Sequence, residues 1–195
     1  MGWTVPYLST SPEIVRRMLK IARVGLGDVV YDLGCGDGRI LIMAVKEFGA
    51  DRAVGYEIRE DMCTAALAEI ERQGLQSRVK LVNGDLFDAD LHEATVITLY
   101  LDESTNQRLK PKLERTAKVG TRIVSYAYKI RGWSAAKKIR RHGDTIYLYT
   151  LPESINRAET TEGDKKSRGG KTEDDGVYED HHGQGEGWDN GRWFG

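Results

Sequence analysis

The 195-residue chain has two cysteines, four prolines and almost no net charge, the formal sum being −1. Cys35 and Cys63 stand in no C-x-x-C or Cys/His pattern, which excludes a disulfide scaffold and a cysteine metal site. They read as reduced thiols of a cytoplasmic protein. No apolar run approaches the ~20 residues that a membrane span needs. The opening stretch MGWTVPYLSTSPE has no basic segment followed by an apolar one, so no secretory leader is expected. The near-neutral balance gives no electrostatic argument for nucleic acid. The charge is unevenly placed, however. Residues 1–151 hold 23 Lys+Arg against 19 Asp+Glu, and residues 152–195 hold 6 against 11. The second stretch is also rich in glycine and cannot bury enough apolar area to offset its ordering entropy. It is read as a disordered acidic, Gly-rich tail behind a domain covering residues 1–151, and the protein is expected to be a monomer.

What is present is alternation. Thr10 and Glu13 match a capping box, and Ile14, Val15, Met18, Leu19 and Ala22 follow at helical spacing. The run Val29–Leu33 is apolar enough to be buried on both faces of a sheet. Helices are predicted over about 39–48, 61–73 and 105–116, the last with Pro111 able to kink or split it. Strands are predicted near 53–57, 79–82, 94–101 and 121–130, with a strand pair inside 135–151. Strand–helix alternation implies right-handed crossovers and a mostly parallel sheet. The fold class is therefore α/β, Rossmann-like, with helices on both faces and an antiparallel edge.

The segment Asp32-Leu33-Gly34-Cys35-Gly36-Asp37-Gly38-Arg39 links the first strand to a helix. Glycines allow a tight turn and close ligand approach. The helix start offers free N–H groups and a positive dipole end. The spacing G-x-G-x-G departs from the dinucleotide pattern G-x-G-x-x-G. Asp32 can attract an ammonium group, and Asp37 inside the loop would repel a pyrophosphate. A zwitterionic amino-acid group suits this loop better, and S-adenosylmethionine carries one. Glu57, at the end of the second strand, can accept hydrogen bonds from ribose hydroxyls. Asp85 can accept from an adenine amino group and Leu86 can pack on the ring, although Asn83-Gly84 also reads as an ordinary turn.

These residues match the class I S-adenosylmethionine-dependent methyltransferases. More narrowly, VPY with TSPEIVRRML, YDLGCGDGRI, LKPKLE, GTRIVS, IRGW and YLY resemble the archaeal broad-specificity protein-lysine methyltransferases and their mitochondrial relatives. The resemblance spans about residues 5–150 and implies a methyl donor cofactor and protein acceptors with exposed lysines. It implicates Tyr7, with Ser11 or Thr10, at the methionine end of the cofactor. After the fourth strand the chain reads Thr98-Leu99-Tyr100-Leu101-Asp102-Glu103 and lacks the Asn/Asp-Pro-Pro-Tyr box of many amino-methylating relatives. Without that amide clamp a nucleobase acceptor is disfavoured. Tyr100 is the candidate aromatic wall, with Tyr126 and Trp133 behind it, and Asp102 or Glu103 could orient an ammonium or take its proton. Each also has a structural reading: Tyr100 as sheet packing, Tyr126 and Tyr128 as one core face, Trp133 as a turn anchor, Asp102 and Glu103 as a helix start. Transfer to RNA or a small molecule, and a non-catalytic cofactor-binding module, are the competing functions.

Overall fold

The computed structural model describes residues 10–141 and 143–156. Their order is α1 (Pro12–Ile21), β1 (Val29–Leu33), α2 (Arg39–Lys46), β2 (Arg52–Glu57), α3 (Glu60–Arg72), β3 (Val79–Asn83), a 3-10 turn (Leu86–Asp88), β4 (Val96–Leu99), α4 (Glu103–Thr116), β5 (Arg122–Tyr126), β6 (Lys137–Arg141), β7 (Asp144–Thr150) and α5 (Glu153–Asn156). The seven strands form one sheet in the order β3-β2-β1-β4-β5-β7-β6. The first five are parallel; β7 runs antiparallel to both β5 and β6. This is the expected parallel sheet with an antiparallel edge.

The strand order reverses beside β1, so the carboxyl ends of β1, β2 and β4 surround a switch point, where open α/β sheets bind ligands. Side-chain alternation sorts the two faces. Val30, Ala53, Val96, Val124 and Tyr126 pack with α1, α2 and Ile70 of α3. Tyr31, Leu33, Ile97, Leu99 and Ile123 pack with Leu109 and Leu113 of α4 on the other side. Gly55 of β2 is needed at the first interface. A Cβ there would lie 2.5 Å from Leu41 Cδ1 and 2.6 Å from Cys35 Sγ, so only glycine lets α2 settle on the strand.

Several local expectations shift. The cap of α1 is Ser11, whose hydroxyl accepts the Ile14 N–H, with Pro12 in the first turn. Thr10 is buried instead, and Glu13 pairs with Arg17 one turn on. Strand five stops at Tyr126 because Ala127 takes φ 64°, which ends the alternation. Tyr128 is consequently exposed rather than sharing the Tyr126 face. Helix α4 is unbroken across Pro111. The boundary expected at 151/152 falls before α5, where Ile155 still packs against the second cluster. The remainder of the acidic tail, 157–195, lies outside the described residues. No helix among the described residues is long and apolar enough to cross a membrane.

Candidate active site

The glycine loop is shaped by backbone bonds to the end of β2. The N–H groups of Gly34 and Cys35 both donate to the Tyr56 carbonyl, and Gly38 N–H closes the turn on Cys35. Gly34, Gly36 and Gly38 adopt φ of 90°, 54° and 77°. A side chain at any of them would be strained. Gly38 is the N-cap of α2, and Asp37 Oδ1 accepts the Arg39 N–H of its first turn at 3.1 Å.

Glu57 locks the loop to β2. Its Oε2 accepts the Gly36 N–H at 3.0 Å, and its Oε1 accepts the Arg59 N–H at 2.9 Å. Its carbonyl accepts Asn83 Nδ2, Gly84 N–H and Cys63 Sγ–H, which ties in the end of β3. One residue further, Asp85 is exposed and accepts the Phe87 N–H, with half-buried Leu86 beside it.

Asp32 is the most deeply buried carboxyl of the site. Its register partners are Gly55 and Thr98, and the Thr98 hydroxyl donates to it at 2.7 Å. Burial pushes its carboxyl up to about 7, Thr98 holds it down in part, and nearby Asp37 and Glu57 add repulsion. A carboxylate answered by a hydroxyl and two acids suits a positively charged ligand group. The amino-acid ammonium of S-adenosylmethionine is such a group, so this donor set fits the cofactor.

Asp37 differs from its expected role. The Arg39 guanidinium holds both its oxygens, at 2.9 Å from Nε and through Nη2. Arg39 also donates to the Thr10 carbonyl at 2.7 Å, hooking the start of α1 onto the loop. The charge that was expected to repel a pyrophosphate is therefore balanced within the protein.

On the acceptor side, Tyr100 follows Thr98 by two residues, and so shares the face of Asp32. Its ring lies 4.7 Å from that of Tyr126, tilted by 54°. The Tyr126 hydroxyl donates to Asp144 at 2.6 Å. Asp102 and Glu103 are drawn elsewhere. Asp102 is the N-cap of α4: Oδ1 accepts from Ser104 and Thr105 N–H, and Oδ2 from the Thr105 hydroxyl. The Ser104 and Thr105 hydroxyls are the main cause of its acidity, lowered to about 2, which makes it a poor proton acceptor. Glu103 pairs with Arg131. Trp133 belongs to the other face of the sheet, edge-on to Tyr149 at 5.5 Å with its Nε1 donating to Glu114 at 2.8 Å. It anchors a turn and does not line the rim. Tyr7 lies outside the described residues.

Residues 32–137 match the family described as the ANTKMT methyltransferase domain. The chain belongs to this methyltransferase family. A relative from Saccharolobus islandicus (strain REY15A), a protein-lysine N-methyltransferase, is 48% identical over 153 residues, covering 76% of this chain and 95% of that one. The adenine nucleotide translocase lysine N-methyltransferase of Mus musculus is 30% identical, covering 75% of this chain but 63% of its own length. The crystal structure of an RNA methyltransferase from Salinibacter ruber in complex with S-adenosyl-L-homocysteine superposes with a TM-score of 0.73. It is 43% identical, over 76% of this chain and 96% of that one. The protein is thus an S-adenosylmethionine-dependent methyltransferase with a class I Rossmann-like fold.

Sequence reasoning missed Thr98, Arg39 and Asp144. Thr98 could have been found by counting two residues back from Tyr100 along the strand. Arg39 and Asp144 gave no signal, since one is an ordinary helix start and the other meets Tyr126 across an 18-residue separation.

Proposed function

We propose that this methyltransferase modifies the ε-amino group of lysine in protein. The observation that carries the reading is the Tyr100–Tyr126 pair, placed on the Asp32 face one alternation beyond Thr98. The lysine specificity of the Saccharolobus and mouse relatives supports it. When bound, S-adenosylmethionine supplies the methyl group as an electrophilic sulfonium carbon. Asp32 would take its ammonium, the Gly34–Gly38 loop its carboxylate, Glu57 its ribose hydroxyls, and Asp85 with Leu86 its adenine. Asp37 would act through Arg39, by holding the loop.

A free lysine has a pKa near 10.4, so only about one molecule in a few thousand is neutral at pH 7. The enzyme's task is to strip water from the amine and aim it along the line of displacement. An aromatic pair does the first by desolvation, and the negative ring faces guide the incoming cation. The proton leaves before attack, to water; Asp102, engaged as a helix cap, is not assigned to it.

The test is incubation with methyl-labelled cofactor and separate protein and RNA mixtures, followed by mass spectrometry of the labelled fraction. Methyl-lysine in protein is the expected result. Label confined to RNA would overturn the reading. It would favour transfer to RNA, as in the Salinibacter RNA methyltransferase. The two free, buried cysteines support a reducing, cytoplasmic setting. The cationic edge strand β6, with Lys137, Lys138 and Arg140 exposed, supports a monomer, because such edges resist pairing. Light scattering checks the latter.

A further inference from the structure

Asp144 lies outside every motif that led to the site, yet it reaches the acceptor wall. It opens β7 after a two-residue connection that contains Gly143 at φ 93°. The hairpin is pinned to the end of β5 by Ala127 N–H, which donates to the Thr145 carbonyl at 2.9 Å. Ala127 itself, at φ 64°, turns the chain away directly after Tyr126. The result leaves the Tyr126 phenol at the rim with its hydroxyl proton given to Asp144 at 2.6 Å, and its ring against Tyr100. A phenol whose proton is already committed offers only lone pairs to a third partner. An amine nitrogen carrying N–H groups is the complementary partner.

We infer that Asp144 is a positioning residue of the acceptor site: by accepting the Tyr126 hydroxyl it presents the phenol oxygen as a hydrogen-bond acceptor to the N–H of the incoming amine. This rests on the lysine reading given under Proposed function. The role belongs to the carboxylate as an acceptor, so an amide oxygen at the same place should largely replace it. The Tyr100 ring then forms the wall, and the nitrogen is held by one hydrogen bond and one ring face.

The experiment uses the full chain with a lysine-containing peptide that the wild-type enzyme methylates. Asp144→Ala and Tyr126→Phe should each lower kcat about tenfold to hundredfold, the range for a misplaced reacting group. Asp144→Asn should retain at least about a third of the wild-type kcat. Asp144→Ala added to Tyr126→Phe should cost less than about threefold more, because the two act as a unit. Cofactor affinity by calorimetry, and peptide affinity by fluorescence anisotropy with S-adenosylhomocysteine present, should stay within about threefold in all variants. A purely structural hairpin role would move these affinities together with kcat, and would overturn the inference. So would an Asp144→Ala enzyme within twofold of wild type, or losses that multiply in the double variant. If Asp144→Ala fails to fold, Asp144→Asn and Tyr126→Phe decide alone: similar losses in both refute the role, since the amide keeps the acceptor. A wild-type enzyme that binds cofactor but methylates no peptide lysine would instead sink the lysine reading, and this inference with it.

Discussion

Replacing Asp32 by Asn should make the protein more stable and less able to bind its cofactor. In the free protein this carboxyl is buried with a hydroxyl for a partner and is raised from 3.8 to about 7. A carboxyl raised on folding favours the folded state fully at pH values below 3.8. That contribution is lost as pH rises toward about 7 and levels off above it. The gap between the two values corresponds to about 4 kcal/mol at pH 8, and to about 1 kcal/mol near pH 4.5. An amide is close in shape to the neutral acid, so Asp32→Asn should recover roughly 2–4 kcal/mol at pH 8. At about 2–4 °C per kcal/mol for a chain of this size, the melting temperature should rise by roughly 5–10 °C. Near pH 4.5 the gain should shrink to about 1 kcal/mol or less. The same change removes a charge-assisted bond to the cofactor ammonium, about 1.5–3 kcal/mol, and so weakens binding about tenfold to a hundredfold. Scanning calorimetry at both pH values and titration calorimetry with the cofactor measure both sides. A melting temperature at pH 8 below wild type, or an equal gain at both pH values, would refute the argument.

Glu57→Ala removes the acceptor for the Gly36 and Arg59 N–H groups, so cofactor binding should fall at least about a hundredfold, with faster amide exchange across residues 34–38. Gly55→Ala forces a methyl against Leu41 and Cys35, so urea unfolding should show a loss of about 1–3 kcal/mol. Asp102→Ala should cost about 1 kcal/mol of stability as a lost cap while kcat stays within about threefold, whereas a collapse of kcat would restore Asp102 to the chemistry.

The parallel sheet and its edge were legible because each strand announces itself locally: Val29–Leu33 is continuously apolar, and the glycine loop marks its end. The places of the proposed rim residues were legible for the same reason. Asp32, Glu57 and Asp85 sit at strand ends, and strand ends are brought together by parallel topology. The failures share the opposite cause. Asp102 carries the charge of a base, but Ser104 and Thr105 two and three positions on make it a cap, the helix-start reading that its position also offered. Strand five was read through to residue 130 because nothing about alanine signals a left-handed backbone, and Ala127 owes it to the hairpin it meets. Trp133 looked like a wall since the sequence does not state which side of the sheet a loop returns to. The hydroxyl of Tyr126 and the carboxylate of Asp144 depend on β7 inserting between β5 and β6, a choice made by the whole sheet.

The direction of β7 has a practical outcome. It descends from Asp144 at the rim to Thr150 opposite Arg122, the first residue of β5. Helix α5 is therefore delivered to the foot of the sheet, a strand's length, roughly 17 Å, from the proposed acceptor site. Substitution of the exposed Glu153 should therefore leave the Tyr100–Tyr126 side of the sheet untouched.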